Sequence, residues 1–145
     1  LGSDVPFFVA DEPAALARGR GEVLTPVKSR LKAWVKVLTP GFSVSTAWAY
    51  GLLRERRAYV PRDEAERAAE EMVKALEKGD LRAVAQAFFN SFEVPLGEVH
   101  PEIPELKEKL LREGAAVAGL SGSGSAVFGL FEEPVPGSAP VIIGR

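Results

Sequence analysis

The sequence predicts an α+β domain in which helices lie together on one face of a mostly antiparallel sheet. Three observations carry that expectation. Residues 31–38 alternate Leu31, Ala33, Val35 and Val37 with Lys32, Trp34 and Lys36, the period of a half-covered strand. Between residues 46 and 113, apolar residues recur at helical spacing in four successive stretches. After them, two apolar runs, Ala115 to Leu120 and Ala126 to Phe131, flank a Ser/Gly loop, and Val141-Ile142-Ile143 supplies a last strand. From residue 31 the order is therefore strand, helix, helix pair, helix, strand, strand, strand.

Taken in order, Val5 to Val9 is apolar, and Pro6 removes a backbone donor, so the segment reads as an edge strand or the extended exit of a turn. Ala14 to Ala17 leads into Arg18-Gly19-Arg20-Gly21-Glu22, where two glycines beside two arginines fit either a close backbone approach near negative charge or a solvated loop. Thr39-Pro40-Gly41 ends the strand that begins near residue 31. Ser43 or Ser45 then caps a helix from about Thr46 to Arg57, because a short hydroxyl side chain accepts from the free first-turn N–H groups.

Pro61 breaks the chain, and Arg62 to Lys78 gives the clearest helix: Ala65, Ala68, Ala69, Met72, Val73 and Leu76 share a face, with Glu70 and Lys74 paired outside. Gly79 stops it. Asp80 caps the next segment, whose stripe of Leu81, Val84, Ala85 and Phe88 ends near Asn90, so the two helices form a hairpin. Residues 90–97 read as a loop because Pro95 and Gly97 interrupt them. Pro101 to Glu113 forms the fourth helix, with Ile103, Leu106, Leu110 and Leu111 inward, and Gly114 ends it.

The composition narrows the function. At 145 residues the chain is about one domain's worth of sequence, and 46% apolar with 26% charged residues is ordinary for a globular protein. A formal charge of −2 with scattered Lys and Arg offers no basic field for nucleic acid or anionic lipid. The absence of cysteine excludes disulfides, Cys-based zinc sites and a thiol nucleophile, and suits a reducing cytoplasm. One histidine, His100, excludes a His cluster and reads as a cap or surface residue. No apolar run reaches the ~20 residues a bilayer span needs. The chain opens without Met, at Leu1-Gly2-Ser3, and reads as a piece of something longer.

Chemistry concentrates at Ser121-Gly122-Ser123-Gly124-Ser125. A Walker-type loop requires a following helix and a Lys, and neither is present. What remains is a turn whose glycines can take positive φ and bring backbone N–H groups and hydroxyls close to an anion. For an isolated Ser-Gly-Ser-Gly a tight β-turn with no ligand is the better reading, and the rest of the chain has to decide. Asp4 alone reads as a turn former, and Trp48 and Tyr50 read as core residues or as a platform on which a base could stack.

Four stretches, in order and at characteristic intervals, go further. Leu1-Gly2-Ser3-Asp4-Val5-Pro6-Phe7-Phe8, Ala15 through Arg18-Gly19-Arg20-Gly21-Glu22, Pro40 through Gly41-Phe42-Ser43-Val44-Ser45-Thr46-Ala47-Trp48-Ala49-Tyr50, and Asn90-Ser91-Phe92-Glu93 with Ser121 to Ser125 and Val127 to Phe131 resemble the 4-diphosphocytidyl-2-C-methyl-D-erythritol kinases, a family within the GHMP kinases. The resemblance implies a ferredoxin-like C-terminal domain over residues 28–145, preceded by the end of an N-terminal ATP-binding domain over residues 1–27. It implies ATP-dependent phosphorylation of the substrate's 2-hydroxyl on the non-mevalonate route to isoprenoid precursors, with Mg²⁺ accompanying ATP, in the cytoplasm. By the same resemblance Asp4 matches the catalytic base, Tyr50 the ring that packs on cytosine, Thr46 a polar neighbour in that pocket, and Arg20 the turn bordering it. Ser121, Gly122, Ser123 and Gly124 match the motif that supports the phosphates.

Departures are equally specific. The family's Gly-rich ATP loop and N-terminal substrate-binding Lys have no counterpart here, so this chain alone is not expected to transfer phosphate. Asp11-Glu12-Pro13 replaces a small Gly-rich turn, and the helix usual between Phe131 and the last strand is missing. Two other functions compete: another GHMP kinase such as a homoserine kinase, and a non-catalytic module that keeps the fold for binding.

Overall fold

A computed structural model describes residues 5–10 and 12–142. Its helices and strands are α1 (Val5–Val9), β1 (Ala15–Arg18), β2 (Val23–Pro26), β3 (Lys32–Leu38), α2 (Thr46–Glu55), α3 (Arg62–Lys78), α4 (Leu81–Ala87), α5 (Glu93–Val99), α6 (Glu102–Arg112), β4 (Val117–Leu120), β5 (Val127–Phe131) and β6 (Ala139–Ile142). A four-stranded antiparallel sheet runs in the order β4-β5-β3-β6, and β1 and β2 form a separate antiparallel hairpin. The α+β expectation holds, but with two more helices than the sequence pattern announced and with helices on both faces of the sheet rather than on one.

Each local device works as its residues dictate. Ser45 caps α2 by accepting from the Trp48 N–H, and Asp80 caps α4 by accepting from the Ala83 N–H at 3.0 Å. Gly79 ends α3 at φ 71°, a left-handed conformation that glycine adopts without a Cβ penalty. On the outer face of α3 the ion pairs among the described residues are Arg62 with Glu66 and Arg67 with Asp63, two turns earlier than the Glu70 and Lys74 expected.

Register separates the two faces of the sheet, because residues directly opposite in an antiparallel pair point the same way. Ala118, Leu120, Val127 and Phe131 lie on the face that packs with Ala49, Leu52, Leu96, Ile103 and Leu110 of α2, α5 and α6. Trp34 and Leu38 join them, so β3 turns its even-numbered residues inward here, and Val37 stays exposed. The other face carries Ala33, Val117 and Leu130 against Ala75, Leu81 and Val84 of the α3–α4 hairpin. Helices on one face are thus α2, α5 and α6, while the hairpin covers the opposite side, chiefly at β4.

Three sequence expectations fail locally. Val5 to Val9 is a helix, closed by the Ala10 N–H donating to the Pro6 carbonyl at 3.0 Å. Pro6 is tolerated because first-turn N–H groups have no intrahelical acceptor in any case. Residues 93–99 are helical for the same reason: Pro95 is the third residue of α5. Leu111 is exposed. Between β5 and β6, residues 132–138 make no helix; Ser138 instead closes a turn on the Val135 backbone. Among the described residues no helix is long and apolar enough to cross a membrane.

Candidate functional site

The Ser/Gly loop leaves β4 at Ser121 and enters β5 after Ala126, with the Ser121 N–H donating to the Ala126 carbonyl at 2.9 Å. Gly122 and Gly124 have φ of 55° and 91°, which a residue with a Cβ would adopt only under strain. Ser121 and Gly122 are exposed. Among the described residues no backbone or side-chain acceptor engages the N–H of Gly122 or Ser123. The loop therefore presents free amide and hydroxyl donors and carries no cation of its own.

Three segments hold it. From the β3–α2 connection, the Phe42 carbonyl accepts from the Ser125 hydroxyl at 2.7 Å. From the first turn of α2, the Thr46 and Ser123 hydroxyls share a hydrogen bond at 3.0 Å. From the α4–α5 connection, Asn90 Nδ2 donates to the Leu120 and Gly122 carbonyls at 2.9 and 2.8 Å, while its Oδ1 accepts from the Phe92 N–H. Glu93 completes this side: its Oε1 accepts from the Leu120 N–H at 2.7 Å, and Oε2 pairs with Lys107 Nζ at 2.6 Å.

The reason Asn90 and Glu93 meet Leu120 is topological. β4 is an edge strand, and the outward N–H and C=O of its last residue would otherwise be unpaired. Side chains from the neighbouring connection take both groups. Gly119 makes room for them, since a Cβ there would overlap the Phe88 ring and sit 2.8 Å from Glu93 Oε1.

Of the predicted site residues, Thr46 meets the Ser121–Gly124 loop through Ser123. Tyr50 lies one helical turn beyond Thr46 on α2, about half exposed, and its ring meets Phe92 edge-on at 5.1 Å. Trp48, two residues earlier, points elsewhere and meets His100, which stacks on Phe42. Arg20 is not brought to this group: it is exposed in the β1–β2 turn, and its backbone N–H donates to Glu22. Asp4 lies outside the described residues.

The positioning roles of Asn90, Glu93 and Lys107 escape the sequence. Asn90 and Glu93 occur in the Asn-Ser-Phe-Glu signature, but nothing local says which groups they reach. Lys107 is 14 positions from Glu93, so no periodic pattern joins them.

Residues 72–139 match the family model "GHMP kinases C terminal". The chain is 39% identical over 136 residues to a 4-diphosphocytidyl-2-C-methyl-D-erythritol kinase of Chlorobium phaeobacteroides, covering 92% of this chain and 45% of that protein. It is 41% identical over 130 residues to the enzyme of that name from Symbiobacterium thermophilum, covering 90% and 44%. A crystal structure of a 4-(cytidine 5'-diphospho)-2C-methyl-D-erythritol kinase superposes with a TM-score of 0.70 at 34% identity, over 92% of this chain and 46% of that one. A homoserine kinase structure from Cytophaga hutchinsonii matches at TM-score 0.65 but 19% identity, a likeness of fold alone. The chain thus spans about half the length of the curated relatives it matches. With its antiparallel sheet, its Ser/Gly loop and similarity along nine-tenths of its length, the chain is a GHMP-kinase C-terminal region of the type carried by the 4-diphosphocytidyl-2-C-methyl-D-erythritol kinases.

Proposed function

We propose that the chain is the substrate-side half of an ATP-dependent kinase that phosphorylates the 2-hydroxyl of 4-diphosphocytidyl-2-C-methyl-D-erythritol. One observation carries the reading furthest. The hydrogen bond between Thr46 and Ser123 ties the first turn of α2 to the Ser/Gly loop, and Tyr50 follows one turn later on the same face of that helix, which supports a base on the ring and a phosphate on the loop belonging to one ligand. A nucleoside diphosphate ester has those two parts at matching ends.

In the reaction the hydroxyl oxygen attacks the γ-phosphorus, the bond to the β-phosphate oxygen breaks, ADP leaves, and the hydroxyl proton passes to a base, for which Asp4 is the candidate. Tyr50 holds the cytosine ring, Thr46 adds a polar contact, and Ser121 to Gly124 line the phosphates with hydroxyl and amide donors. These donors fit a phosphate as one wall of a cradle. Bound Mg²⁺ would neutralise phosphate charge, but among the described residues no cluster of three His, Cys, Asp or Glu groups is placed to hold it. The remaining phosphate and metal contacts belong to sequence outside residues 28–145, including the ATP-domain segment assigned to residues 1–27. A cytoplasmic setting is part of this reading.

The test is a substrate panel on the full-length protein with ATP, read by phosphorus NMR. Phosphate appearing on the 2-hydroxyl of the cytidylyl substrate, with none on homoserine, is expected. Turnover of homoserine, or none of the cytidylyl substrate, ends the proposal.

A further inference from the structure

We propose that Asn90 is a positioning residue that turns the Gly122–Ser123 peptide so that the Ser123 N–H is offered to a phosphate oxygen of the ligand. This deepens the kinase reading and rests on it for the identity of that phosphate.

Peptide geometry sets the direction of that N–H. In a trans peptide the carbonyl of one residue and the N–H of the next point in opposite directions, because the unit is planar. Asn90 Nδ2 draws in two carbonyls two residues apart, those of Leu120 and Gly122. The first capture can be checked within the structure: with the Leu120 carbonyl held toward Asn90, the Ser121 N–H must point away from it, and it donates to Ala126 across the hairpin. The second has the same consequence for the next peptide. With the Gly122 carbonyl drawn back, the Ser123 N–H faces away from Asn90, and among the described residues it meets no acceptor. An amide held in place with nothing to donate to is the element from which anion sites are built.

The surroundings support this use. Asn90 is itself fixed through the Phe92 N–H on its Oδ1, so the bridging amide cannot rotate freely. Phe92 is also the ring against Tyr50, which links the orientation of the loop to the wall of the base pocket. The nearby carboxylate of Glu93 would repel a phosphate, and Lys107 offsets that charge. Ser123 is held on its other side by Thr46.

The experiment uses the full-length protein as wild type, N90D, N90A and N90H. Aspartate keeps the acceptor for Phe92 but places an oxygen against two carbonyls; alanine removes both functions without adding charge; histidine restores a donor near the Nδ2 position. Steady-state kinetics are combined with titrations of cytidine and of inorganic pyrophosphate. N90D and N90A should each lower kcat about 10²-fold, the order expected when a phosphate contact is misplaced by about 1 Å. N90H should recover part of that loss, pyrophosphate affinity should fall at least about tenfold in N90A, and cytidine affinity should hold. Wild-type kcat in N90D and N90A overturns the proposal, as does a parallel loss of cytidine and pyrophosphate affinity, which would mean a structural role only. Should the wild type not turn over the cytidylyl substrate, the kinase reading falls separately. The pyrophosphate titration then decides the Asn90 proposal alone, and equal affinity in wild type and N90A overturns it.

Discussion

Tyr50 sets the sharpest expectation for a single side chain. Its ring is half exposed and braced edge-on by Phe92, so one flat face is free to stack. Tyr50→Ala should raise the substrate KM by roughly 5- to 150-fold, the equivalent of ~1–3 kcal/mol of base stacking, while kcat stays close to wild type. An unchanged affinity for cytidine would remove Tyr50 from the pocket. Gly119 gives the opposite kind of prediction, about packing. An added methyl would overlap Phe88 and crowd Glu93, so Gly119→Ala should cost ~1–3 kcal/mol in chemical denaturation. A wild-type denaturation midpoint would show that Phe88 moves aside at no cost. The Ser/Gly turn and the start of α2 were legible in the sequence because each is a contiguous motif, whereas the contact between them, Thr46 to Ser123, joins residues 77 positions apart. Asn90, Glu93 and Lys107 were half legible: two were visible as members of a motif, but their partners are backbone groups 27 to 32 positions away. Only the folded edge of β4 shows what they do.

Among the helices and strands, legibility follows the strength of the local period. The α3 stripe, the Ser45 and Asp80 caps and the Gly79 stop could be read because each acts within one turn of itself. Two short helices were missed where proline and glycine argue against a helix in general. Proline breaks a helix only where it removes a bond the helix would have made, and at Pro6 and Pro95 no such bond is lost. The alternation of β3 was read as one covered face, and Leu31 and Ala33 are buried as expected, but Trp34 and Leu38 also find a core in α2, α5 and α6, while Val37 finds none. The α4 cap permits a clean test. Asp80→Ala removes an acceptor for the Ala83 N–H and should lower stability by ~1 kcal/mol, about 3 °C in Tm for a domain of this size. Asp80→Asn should retain nearly all of it. If both variants lose equally, the charge rather than the hydrogen bond is responsible.

For the molecule as a whole, the Ser/Gly loop is tied by two stretches of chain far apart in sequence. Phe42 and Thr46 hold it from the start of α2, and Asn90 and Glu93 from the start of α5. In the proposed reading that arrangement forms one wall of the substrate site, with the base, Asp4, carried by the N-terminal segment and the cytidine contacts by α2. Chemistry and binding should then be separable by mutation. Asp4→Asn in the full-length enzyme should lower kcat by about 10²- to 10⁴-fold, the loss expected for a removed general base. Substrate affinity, measured by titration in the absence of ATP, should stay near wild type, because amide and carboxylate occupy the same volume and the stacking ring is untouched. Undiminished turnover would assign the base elsewhere. A matched fall in affinity would instead mean that Asp4 holds the substrate, and the division of labour between the N-terminal segment and α2 would have to be abandoned.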